Sequence, residues 1–174
     1  MQLCHYLTPQ AILIPVKGKS KPDLLRQLVS ALTELHHLKQ PKRILHAIVE
    51  REKVGSTFLS IGVAMPHARL NGIDEIKMVM GVVPEGIEEV IGDRPYRITI
   101  IFLFISPLTE KEFGRHLKLL AQIAALFREE HLVHAITKCT TPKAVFDLLQ
   151  RTERANAEAH EERTTESDDS SSAL

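Results

Sequence analysis

The sequence predicts an α/β fold: a mixed central β-sheet covered by helices on both faces, in a single domain. Two observations carry this. Short apolar runs at residues 61–65, 76–83 and 98–105 alternate with stretches whose apolar residues recur at helical spacing. The run 98–105, Ile-Thr-Ile-Ile-Phe-Leu-Phe-Ile, is apolar on both faces of a strand, which places it in the middle of a sheet covered on both sides. With 174 residues, 44% of them hydrophobic, the chain can bury one core of ordinary size.

The elements follow in order. Residues 12–16 are a weaker strand candidate. A helix is expected over 23–38, with Leu24, Leu25, Leu28, Leu32 and Leu35 on one face and Pro22 just before it. Pro41 opens a second helix whose buried stripe is Ile44, Leu45, Ile48 and Val49; its charged end contains Arg51, and Gly55 stops it. After the strands 61–65 and 76–83, the stretch 86–97 is read as a loop or short strand around the turn Gly92-Asp93-Arg94-Pro95. Beyond the strand 98–105, Thr109-Glu110-Lys111-Glu112 has the form of a capping box that starts a helix reaching about residue 128. The expected stripe of that helix is Phe113, Leu117, Leu120, Ile123, Ala124 and Phe127, with His116 at its margin. Two shorter helices are expected over 129–137 and 142–151, the second capped by Thr141 with Pro142 in its first turn.

Composition narrows the function classes. The formal net charge is zero, with 22 basic and 22 acidic residues, but it is unevenly spread. Residues 153–174 hold seven acidic and two basic side chains, leaving 20 basic against 15 acidic in residues 1–152. The expected division is therefore a domain over 1–152 and an acidic tail over 153–174, too poor in apolar groups to offset the entropy of ordering and expected to be largely disordered. With few aromatics, no tryptophan and no recognised motif, the modest basic excess does not point to nucleic acid. No apolar run approaches the roughly 20 residues that cross a bilayer, and no signal-peptide pattern opens the chain, so a cytoplasmic protein without membrane insertion is expected. Cys4 and Cys139 lie far apart and suggest reduced thiols. His131 and His134 could face the same way on a helix, but no third ligand stands at a telling spacing, so neither a metal nor a cofactor is expected.

The most pointed local feature is Gly62-Val63-Ala64-Met65-Pro66-His67. Pro66 fixes its own φ and drives Met65 out of helical geometry, so the strand is expected to stop there and present His67 at its end, open to solvent. Neutral imidazole is a nucleophile near pH 7 and can carry a phosphoryl group as a phosphoramidate.

Together with Arg51-Glu52 and Gly55-Ser56-Thr57 upstream and Ala68-Arg69 downstream, this stretch resembles the signature of the fructose/mannitol-type IIA component of the bacterial phosphoenolpyruvate-dependent phosphotransferase system, including its nitrogen-regulatory branch. Pro107 followed by His116-Leu117-Lys118-Leu119-Leu120 resembles the family's second histidine-bearing stretch. The resemblance implies that His67 is the phosphoryl acceptor. It also implies that His116 bonds the phosphoryl oxygens or orients His67, that Arg51 holds the phosphate and that Thr57 donates a hydroxyl. Each has a plainer reading: a partly buried helix-margin histidine, an arginine pairing with its own helix end, a turn residue. Arg69 fits a partner contact and a surface charge equally. Phe58 and Ala68 stand where the family commonly has glycine, and phenylalanine does not reach positive φ cheaply, so the loop before Gly62 is expected to take a different path.

The implied function is that of a phosphocarrier taking phosphoryl from an HPr-like phosphocarrier protein and passing it to a IIB component. The alternative is a regulatory protein switched by phosphorylation that controls a transporter or kinase.

Overall fold

The computed structural model describes residues 2–128 and 130–171, with side chains as far as residue 159. Two 3-10 turns, Leu3–His5 and Pro9–Ala11, lead into the short strand β1, Ile12–Leu13. Helices α1 (Lys21–Leu35) and α2 (Pro41–Val54) follow, then the short strands β2 (Phe58–Leu59), β3 (Val63–Ala64) and β4 (His67–Leu70). The long strands β5 (Lys77–Ile91) and β6 (Arg94–Pro107) come next, and α3 (Glu110–Leu126), α4 (Glu130–Thr137) and α5 (Pro142–Ser171) complete the chain.

The sheet runs β1-β5-β6-β3-β2, with β4 pairing β6 beyond β3. It is mixed: β1 is parallel to β5, β3 and β4 are parallel to β6, and the β5–β6 and β2–β3 pairs are antiparallel. As its two apolar faces require, β6 lies inside the sheet, and Ile98 and residues 100–105 are buried. Register shows that both faces are covered. Gly81 pairs with Ile101, and a Cβ on Gly81 would lie 2.9 Å from Leu28 of α1. The adjacent pair, Met80 and Phe102, points to the opposite face, where Phe102 meets Phe127 at the end of α3 with ring centroids 5.5 Å apart.

Several expectations change. The stretch 86–97 forms a β-hairpin with β5 and β6, turning at Gly92, whose φ of 64° suits glycine. Helix α1 begins at Lys21, with Ser20 as cap receiving the Asp23 N–H at 3.4 Å. Thr109 caps α3 by position, but its hydroxyl makes no capping bond, so the capping box does not form. Thr141 does cap α5, receiving the Ala144 N–H at 3.2 Å.

The buried face of α3 is His116, Leu119, Ile123 and Leu126, one residue round from the expected stripe, and Phe113 and Leu117 are exposed. Helix α5 runs on to Ser171, well past residue 151, through a segment rich in alanine and glutamate, both good helix formers. Glu153, the first residue of the expected tail, is buried and joins the packed unit. The disorder expected further along falls largely on side chains 160–174, which lie outside the described residues. No helix among the described residues is long and apolar enough to cross a membrane.

Candidate functional site

Proline shapes the strand that carries His67, though not as a simple stop. Pro66 interrupts the line between β3 and β4 because it has no N–H to give, yet its carbonyl accepts the Phe104 N–H at 3.2 Å. His67 therefore opens a strand, paired with Phe104, instead of hanging from the end of one. It is also not open: the residue is only 3% exposed, contrary to the expectation from the strand end. Its ring stacks on Phe104, centroids 5.2 Å apart, and meets His116 edge to face at 4.9 Å.

Burial covers the rings but leaves one nitrogen of each unbonded. His67 Nδ1 lies 2.8 Å from the Met65 carbonyl oxygen, which can only accept, so Nδ1 carries the proton and Nε2 the lone pair. Among the described residues Nε2 has no hydrogen-bond partner, and the fully enclosed, unpartnered side-chain nitrogens and oxygens are Glu52 Oε1 and Thr99 Oγ1 alone. Nε2 is thus the edge of the ring that solvent or a partner reaches. His116, 4% exposed, is arranged similarly, with Nδ1 2.8 Å from Ser106 Oγ.

Arg51, at the end of α2, donates to the Gly55 carbonyl at 2.8 Å and to Thr57 Oγ1 at 3.4 Å. The Thr57 carbonyl in turn receives the Met65 N–H at 2.8 Å, so one chain of hydrogen bonds runs from Arg51 through Thr57 and Met65 to His67. Phe58, at the position expected to redirect the loop, sits in β2 as an extended residue paired with Ala64 and needs no positive φ. Gly62 carries that conformation, at φ 94°, where a Cβ would lie 2.6 Å from the Arg97 carbonyl oxygen.

Electrostatics favour neutral imidazoles. Burial lowers the His67 pKa, and the Arg51 charge adds to this against the opposing pull of the Met65 hydrogen bond and Glu52. Burial, then the neighbouring His67, Arg69 and Arg51, bring His116 down to about 4. Both rings are unprotonated at Nε2 or Nδ1, and hence uncharged, at neutral pH.

All four site residues expected from the sequence, His67, His116, Arg51 and Thr57, are brought to one locality. Arg69 donates to the Thr109 carbonyl at 2.8 Å and lies 4.6 Å from the centre of the Phe113 ring, tying β4 to the start of α3.

Sequence reasoning missed Ser106, and it missed the support beneath Arg51. There Lys21 Nζ lies 2.6 Å from Glu52, both side chains about nine-tenths buried, and Ser56 bonds to each. A serine ending an apolar strand was the available signal for Ser106; Lys21 and Glu52 are too far apart in the chain to reveal their pairing. Among the described residues no group of three or more His, Cys, Asp or Glu side chains could hold a metal. A groove of about 490 Å³ between α1, the end of α2 and the β5–β6 turn includes neither His67 nor His116.

Comparison with known proteins places the chain. The family model described as phosphoenolpyruvate-dependent sugar phosphotransferase system, EIIA 2, matches residues 5–152. A nitrogen regulatory protein of Bradyrhizobium diazoefficiens is 28% identical over 150 residues, covering 86% of this chain and 95% of that protein. Nitrogen regulatory protein IIA-Ntr from Neisseria meningitidis has a similar fold, with TM-score 0.73 and 23% identity over 84% of this chain and 98% of that one. So does the Escherichia coli mannitol IIA in complex with phosphorylated mannitol IIB, with TM-score 0.67 and 19% identity over 83% of this chain and 96% of that one. The family match takes in both histidine stretches and most of the packed unit, and the chain belongs to the EIIA 2 family of the phosphoenolpyruvate-dependent sugar phosphotransferase system.

Proposed function

We propose that this chain is a phosphohistidine carrier in which His67 Nε2 takes a phosphoryl group from the phosphohistidine of an HPr-like protein and passes it to a IIB-type protein. The observation that carries this reading is the edge-to-face approach of His67 and His116, 4.9 Å between centroids, within the field of Arg51. The Nε2 lone pair attacks phosphorus as the P–N bond to the donor histidine breaks, and that electron pair returns to the donor ring. Positive charge growing on the His67 ring is spread through Nδ1–H to the Met65 carbonyl. Such transfer asks mainly for alignment and for neutralisation of the phosphoryl oxygens. Arg51 supplies the charge, with Thr57 holding one arm of its guanidinium, and His116 faces the transferred group.

Around the paired rings, Leu108, Phe113 and Leu117 are 48%, 44% and 48% exposed, an apolar rim on which a partner protein docks. Transfer between two proteins needs such a surface and no enclosing pocket.

The test is acid-labile labelling from phosphoenolpyruvate, the general phosphotransferase enzyme and HPr. His67→Ala should take up no label; His116→Ala should be labelled but transfer poorly. Label on His67→Ala equal to the wild type would end this reading. A second reading, a phosphorylation switch that acts on a transporter or kinase, draws on the nitrogen regulatory relative, 95% of whose length this chain covers. Labelled protein mixed with a IIB partner separates the two: discharge favours the carrier, and retained label favours the switch.

A further inference from the structure

We infer that Ser106 is a positioning residue: its hydroxyl donates to His116 Nδ1 and so holds this imidazole as the Nε2–H tautomer, a hydrogen-bond donor aimed at the phosphoryl group on His67. The consequence for transfer rests on the phosphocarrier reading; the tautomer does not.

The argument begins with strand alternation. Phe102, Phe104 and Ser106 share one face of β6, and they meet Phe127, the His67–His116 pair and His116 respectively. Ser106 has no solvent exposure, and among the described residues its Oγ, 2.8 Å from His116 Nδ1, has no other hydrogen-bond partner. If Oγ accepted a proton from Nδ1–H, its own hydroxyl hydrogen would be buried with nothing to receive it. If Oγ donates, that hydrogen is used, and the ring proton sits on Nε2, at the open edge of the ring. An unmet buried donor is the costlier state, so the second arrangement holds.

The two histidines are thereby set in opposite tautomers by different partners. The Met65 carbonyl can only accept, so His67 keeps its proton on Nδ1 and offers a lone pair at Nε2. The Ser106 hydroxyl donates, so His116 offers Nε2–H. One ring attacks phosphorus while its neighbour bonds a phosphoryl oxygen, and neither needs to change its protonation first. With the opposite tautomer, His116 would turn a lone pair toward phosphoryl oxygens and repel them.

Two-bond nitrogen–proton NMR correlation of the ¹⁵N-labelled full chain near pH 7.5 tests this. The expected spectrum shows His116 protonated at Nε2 and His67 at Nδ1, with the His116 Nδ1 resonance displaced as for a nitrogen receiving a hydrogen bond. In Ser106→Ala that resonance moves to the position of an unbonded ring nitrogen. Phosphoryl uptake from phosphorylated HPr slows about tenfold, roughly the loss of one oriented hydrogen bond, at unchanged KM for HPr, and Ser106→Thr restores it. A wild-type His116 carrying its proton on Nδ1 would overturn the inference even if the alanine variant failed to fold, and so would a Nδ1 resonance that Ser106→Ala leaves in place. The expected spectra from a protein that takes no phosphoryl group would uphold the tautomer and count against the carrier reading.

Discussion

The Phe104 ring stacks on that of His67, centroids 5.2 Å apart and planes 14° apart, because the two residues pair across the parallel β4–β6 ladder. The candidate nucleophile is therefore held on a buried strand paired with the central β6. Buried strands are among the last parts of a protein to open, so the imidazole keeps its direction without a ligand present. On the proposed reading, a phosphoryl donor meets the ring at its Nε2 edge.

Burial of both imidazoles should make stability fall in mild acid. His116 stays neutral in the folded protein down to about pH 4, and His67 is lowered as well, whereas free histidine titrates near 6.5. Between those values the unfolded chain binds more protons, so this contribution is complete above about pH 6.5 and is lost as the pH falls toward 4. Urea midpoints from pH 4 to 8 should show the slope, and His116→Gln should flatten it. Equal slopes for the two proteins would contradict a buried neutral ring.

Arg51→Lys should slow phosphoryl uptake by roughly 10- to 100-fold with little change in stability. Lysine keeps the charge but lacks the planar fork that reaches the Gly55 carbonyl and Thr57 together. Rapid-quench labelling from phosphorylated HPr measures this, and a rate equal to the wild type would show that charge alone suffices.

Glu153→Gln should destabilise the fold by about 1–3 kcal/mol. The carboxylate receives the Leu3 N–H at 2.5 Å, the Cys4 N–H at 3.1 Å and the Gln122 amide at 3.1 Å, and a glutamine would turn a donor toward one of them. Burial, with Glu153 adding to it, pushes the Cys4 thiol up to about 12. The same variant should therefore alkylate faster at Cys4 near pH 8.5, with the pH profile moved to lower pH. An unmoved profile would remove Glu153 from that explanation.

Gly81→Ala should cost about 1–3 kcal/mol by overpacking. The new Cβ would lie 2.9 Å from Leu28 Cδ2 and 3.0 Å from Val16 Cγ2, where α1 crosses the sheet. Thermal unfolding reports it; an unchanged midpoint would mean that α1 yields without loss.

What the sequence by itself determined was local in origin. Pro66 before His67, Pro41 opening α2, Thr141 capping α5 and the doubly apolar run of β6 each act through the conformation of a few neighbouring residues or a period of two. They were legible for that reason, and they marked the break at Pro66 and the centre of the sheet, though not the start of β4 at His67.

Only the tertiary structure decided which way α3 turns. Periodicity pointed to the stripe of Phe113, Leu117 and Leu120, but contact of His116 with Phe104 and Ser106 on β6 turns the helix so that His116, Leu119 and Ile123 face inward and Phe113 and Leu117 stay at the surface. The burial of His67, the Lys21–Glu52 pair and the seat of Glu153 under the first turn arise in the same way. A side chain's partner across tens of residues is set by how sheets and helices pack, and no short-range propensity encodes it.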